Sequence, residues 1–69
     1  MDRKNDNVEQ TYIGSGCWTV EAFDVIGRSR GLYQVRSESA ADCLALNEAR
    51  GLDRYCTREE LARYIDKIR

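Results

Sequence analysis

A chain of 69 residues, 42% apolar and 33% charged, is one small globular domain with room for a single modest core, burying about 60% of the surface of the unfolded chain. That size excludes an elaborate enzyme with a cleft between two domains, and a net charge of −1 excludes a uniformly basic nucleic-acid binder. No apolar run approaches the roughly 20 residues that span a bilayer, and the opening MDRKNDN lacks a signal peptide's apolar segment, so a cytoplasmic protein with no membrane partner is expected.

Residues 1–7 are charged and poor in apolar side chains and read as a flexible N-terminus; residues 8–69 read as one domain. From Val8 the segment VEQTYIG alternates, with Val8, Gln10 and Tyr12 on one side and Glu9, Thr11 and Ile13 on the other, as an added strand would. Gly14, Ser15 and Gly16 supply a turn into CWTVEAFDVIG, whose β-branched and aromatic residues predict a long strand. Arg28, Ser29 and Arg30, bracketed by Gly27 and Gly31, are expected at the hairpin tip, and GLYQVRS forms the return arm. Trp18, Val20 and Ala22 share a face while Phe23 and Val25 lie on the other, so a bulge near Ala22 and Phe23 is expected to realign the arm. Trp18 is the expected core anchor, and Tyr33 and Tyr55 are candidate interface aromatics.

SESAADCLALNEARG predicts a first helix, with Ser39 as N-cap, Asp42 at its positive end and Gly51 as terminator. Its small apolar face of Ala41, Leu44 and Ala45, widened by Leu46 and Ala49, implies close approach to the sheet. In a second helix Thr57 and Glu60 form a capping box, Cys56 and Leu61 a hydrophobic staple, and Leu61, Tyr64, Ile65 and Ile68 repeat at helical spacing. Residues 52–56 between the helices read as a turn or one short strand. The fold class is therefore α+β: a two- or three-stranded antiparallel sheet followed by two helices packed on one face.

Cys17, Cys43 and Cys56 are widely spaced in a chain without histidine, which fits reduced, buried thiols better than a zinc site or a catalytic cysteine with its base. No cofactor motif occurs, and a non-enzyme is expected. Charge comes in blocks: residues 1–24 carry a net −3, the tip and return arm +3, residues 37–49 −3, and residues 50–69 +2, which predicts one acidic and one basic face. Glu21, Asp24, Glu38, Asp42 and Glu48 are candidate partner-binding carboxylates for an arginine- or lysine-lined groove, although each also reads as an ordinary solvated or helix-end acid. The alternative site is Arg28 and Arg30 probing a nucleic-acid groove with Arg36 on the backbone, a reading that overall acidity and simple solubilisation of a hairpin tip both disfavour. Self-association along an uncovered strand edge is a third possibility, with a monomer the preferred state.

A tiny chain with nine arginines to two lysines and an acidic stretch around EAFDVIG and SESAADCLALNE resembles, in overall character, the bacteriophage anti-CRISPR proteins, including those directed at type I surveillance complexes. The resemblance implies stoichiometric binding to a host protein, the DNA-reading subunit of such a complex, with acidic residues covering its DNA-binding surface. The mixed charge of this chain departs from the most acidic members, which sets it apart from a full DNA mimic.

Overall fold

The computed structural model describes residues 7–50 and 56–69. Strands β1 (Val8–Gly14), β2 (Cys17–Phe23) and β3 (Ser29–Val35) form an antiparallel meander, followed by helix α1 (Glu38–Arg50), a single turn α2 (Arg58–Leu61) and strand β4 (Ile65–Lys67). The sheet order is β1-β2-β3-β4. The class is α+β as expected, with four strands rather than two or three.

The Val8–Ile13 segment does join the sheet, in register with β2 from Val8 opposite Ala22 to Tyr12 opposite Trp18. Gly14, Ser15 and Gly16 all take positive φ, the conformation that lets so short a link reverse the chain. Val20 and Val35 meet Ala40, Ala41 and Leu44 of α1 and Leu61 of α2 in the core, with Trp18, Tyr33 and Ile65 packed around it. Ala41 is completely buried, which is the close helix–sheet approach implied by the small residues. Helix α1 lies over β2 and β1. Gly31 is buried beneath the ring of Tyr33, since a Cβ there would stand 3.2 Å from the Tyr33 hydroxyl.

Three boundaries differ from the expected ones. The hairpin turns earlier than its glycine-bracketed arginines suggest. Asp24 N donates to Arg28 O at 2.8 Å, Gly27 takes a φ of +90°, and the Asp24 carboxylate accepts from Ile26 N at 3.0 Å and Arg28 N at 2.9 Å. This is a three-residue loop closed by a glycine in the left-handed region, and it takes Val25 and Ile26 out of the strand. They stand 91% and 68% exposed at the tip. The expected register shift does occur between Ala22 and Phe23, yet the extra residue is Arg30 on β3. The alternation of β2 therefore runs on unbroken, and Phe23 stays outside the core.

Helix α1 begins one residue before the expected cap. Ser37 is the N-cap, its hydroxyl accepting from Ala40 N at 3.4 Å and its carbonyl from Ala41 N at 2.9 Å, while Ser39 lies within the first turn. The second helix is the larger correction. Its capping box forms, with Thr57 N donating to Glu60 Oε1 at 2.9 Å and Glu60 N to Thr57 Oγ1 at 3.2 Å, but the helix stops at Leu61. The chain then pairs with β3: Arg36 N donates to Tyr64 O at 2.8 Å and Ile68 N to Leu32 O at 2.7 Å. Pairing here satisfies edge groups of β3 that further helical turns would leave open, so tertiary pairing overrides the helical period. Leu61 and Ile65 still face the core, whereas Tyr64 and Ile68, expected in the same stripe, are 43% and 52% exposed. The proposed terminator Gly51, the 52–55 link and Tyr55, and residues 1–6 of the N-terminal segment, lie outside the described residues.

Candidate functional site

The five candidate carboxylates are dispersed. Asp24 is the turn residue described above. Glu21 binds Arg69 at 3.0 Å and Glu48 binds Arg30 at 3.6 Å, so each is half occupied by a cation of this chain. The opposite-sign sequence blocks thus neutralise one another across the fold, where separate acidic and basic faces were expected.

Glu38 and Asp42 remain. They lie one turn apart on α1, both exposed, and among the described residues neither has an ion-pair partner. Asp42 accepts from Gln10 Nε2 of β1 at 2.7 Å, which holds the carboxylate over the outer edge strand. On one side of that link is an open hollow of about 500 Å³ between β1 and α1, lined by Val8, Ala45 and Leu46. On the other, Tyr12, Gly16, Trp18 and Glu38 line a hollow of about 450 Å³. Tyr12 and Trp18 are directly opposed across the β1–β2 pair, their ring centroids 5.0 Å apart and tilted by 56°. Trp18 gives part of its indole to the core and part to this surface. The result is one flank on which two carboxylates, two aromatic rings and the open edge of β1 adjoin.

Comparison with known proteins finds nothing similar. No family model, curated protein or solved structure matches the chain.

The three arginines of the alternative site are divided in the same way. Arg30 donates through Nε to Phe23 O at 3.1 Å and pairs with Glu48; Arg36 pairs with Asp66 and donates to Arg63 O at 2.8 Å. Both guanidiniums brace the fold. Arg28 extends from the exposed tip beside Val25 and Ile26 with no ion-pair partner among the described residues.

Two features lie beyond the sequence reading. Asn47 is buried on the core face of α1 and donates to Cys56 O at 3.1 Å, a polar contact with no signal in an apolar period. Cys43 and Cys56, from different elements, line one open cleft. The uncovered edge allowed for in the sequence is that of β1, which among the described residues has no outer partner over seven residues and carries no lysine or proline to discourage pairing. Among the described residues no cluster suits a metal ion, and no helix is long and apolar enough to cross a membrane.

Proposed function

We propose that this protein acts by stoichiometric binding to another protein, docking the β1–α1 flank on an arginine- or lysine-lined, DNA-reading surface of a host nucleoprotein complex, in the manner of an anti-CRISPR inhibitor. The observation that carries the reading is the pair Glu38 and Asp42, exposed beside Tyr12 and Trp18 with no ion-pair partner among the described residues. Free carboxylates lose little by docking on a cation, whereas Glu21 and Glu48 would first have to surrender one. The adjoining rings supply the apolar area that charge alone does not. Binding as a monomer, without a cofactor and without direct contact to nucleic acid, belongs to the same proposal.

A second reading rests on the hairpin tip, where exposed Val25 and Ile26 sit beside Arg28 in the combination of apolar wedge and cation that enters a nucleic-acid groove. One experiment separates the two. Tagged wild type, a Glu38→Lys/Asp42→Lys variant and an Arg28→Ala variant are each used to capture partners from lysate of a bacterium carrying a type I CRISPR system. The expected outcome is capture of the surveillance complex by wild type and Arg28→Ala, and at least a tenfold loss with the charge reversal, whose circular dichroism spectrum stays that of wild type. Undiminished capture by the folded reversal variant would sink the first reading, and loss with Arg28→Ala would favour the second.

A further inference from the structure

Cys43 and Cys56 come from different elements and are brought together by the fold. Cys43 is half-buried on α1, one turn before Asn47 and on the same side of the helix, and Cys56, also half-buried, leads into α2. Both line an open cleft of about 380 Å³ with Ser39, Glu60 and Tyr64, and Cys43 is close enough to bear on the ionisation of the Cys56 thiol. Asn47 Nδ2 holds the arrangement, reaching Cys56 O at 3.1 Å and Cys56 Sγ at 3.5 Å. Cys17 lies apart at the start of β2, its thiol directed at Ser15 O at 3.8 Å.

We propose that Cys43 and Cys56 are a dithiol modification site that reacts with small disulfides of the glutathione class and closes into an intramolecular disulfide. In the first step the Cys43 sulfur attacks one sulfur of the small disulfide, forming a mixed disulfide and expelling a thiolate, which takes up the proton lost by Cys43. In the second, Cys56 attacks the Cys43 sulfur, expels the remaining small thiolate and passes its proton to it. Two protein thiols and one external disulfide become one protein disulfide and two external thiols; the protein loses two electrons and two protons, and the oxidant gains them.

The order of attack follows from the surroundings. Burial pushes the Cys56 thiol up to about 12, reinforced by the neighbouring Cys43 and the Glu60 carboxylate and opposed by Asn47. A thiol held protonated attacks slowly from solution, so Cys43 is the first nucleophile and Cys56 the resolving one, its reaction made fast by contact. The disulfide would fasten α1 to the limb that carries Leu61 into the core and β4 onto the sheet.

The test equilibrates the full chain in glutathione buffers of graded oxidation, quenches by alkylation and maps the thiols by peptide mass spectrometry. A Cys43–Cys56 linked peptide with Cys17 alkylated is expected, together with a Tm at least ~5 °C above that of the reduced chain. Cys56→Ser should stop at a stable Cys43–glutathione adduct, and Cys43→Ser should be modified at least tenfold more slowly. Wild type that accumulates glutathione adducts without closing, links that include Cys17, or a Tm that falls on oxidation would each overturn the proposal.

Discussion

Cys56 makes the stability of the fold depend on alkaline pH. In the unfolded chain its thiol ionises near 9.0, whereas in the fold burial and the Cys43 thiol hold the proton to about 12. Between those values the unfolded chain binds fewer protons than the folded one, so the contribution, complete below pH 9, is lost as pH rises. Urea titrations in the presence of reductant should show wild type losing more stability between pH 8 and pH 11 than Cys56→Ala; equal losses would remove Cys56 as the cause. At this scale the sequence was legible where a residue has one use. Val20 and Leu44 could only be core. Asp24 has two uses, and the acid in Asp24-Val-Ile-Gly27 was read for its charge although Asp followed three residues later by Gly is also a turn signature. Glu21 and Glu48 are illegible for a different reason: their cations, Arg69 and Arg30, are distant in sequence, and only the fold shows which carboxylates are already taken.

At the scale of elements, starts were more legible than ends. The capping box at Thr57 and Glu60 is local chemistry, and the helix begins where that chemistry places it. Its end is set by β3, whose outer edge recruits residues 64–69, information that no window around Ile65 contains. A helical period and a short strand share Ile65, and a segment this brief satisfies both. Because α2 is a single turn, the box is a large share of what holds it. Thr57→Ala should cost about 1 kcal/mol, lowering Tm by roughly 4–8 °C in a domain of this size; an unchanged melting curve would show that packing of Leu61 alone suffices. The strand β1 was legible from alternation, since its inward residues, Val8 and Gln10, meet α1 without any rearrangement of the pattern.

For the molecule as a whole, segregated charge in the sequence has become interleaved charge in the fold. Arg69 reaches Glu21 across 48 residues and Arg36 reaches Asp66 across 30, so the basic C-terminal block neutralises acids and arginines of the meander. Of the eight candidate site residues, those left without an ion-pair or turn partner among the described residues are Glu38 and Asp42 on one flank and Arg28 at the hairpin tip. Exposed ion pairs of this kind contribute little stability singly. Their larger effect is to narrow the choice of partner surface, because a ligand that meets neutralised charge gains nothing from it.

The pairing of β4 with β3 carries a consequence for assembly. A chain halted before Ile65 would present two open edges, β1 on one side of the sheet and β3 on the other. Edges on opposite sides join head to tail, which propagates into fibres and does not close. The three residues of β4 cover the seven-residue edge of β3 and put a much shorter one in its place, leaving β1 as the one long edge among the described residues. A truncation ending at Tyr64 is therefore expected to scatter light and bind thioflavin within hours at concentrations where the full chain stays clear, and a clear truncated sample would show that β3 is protected by something other than its final strand.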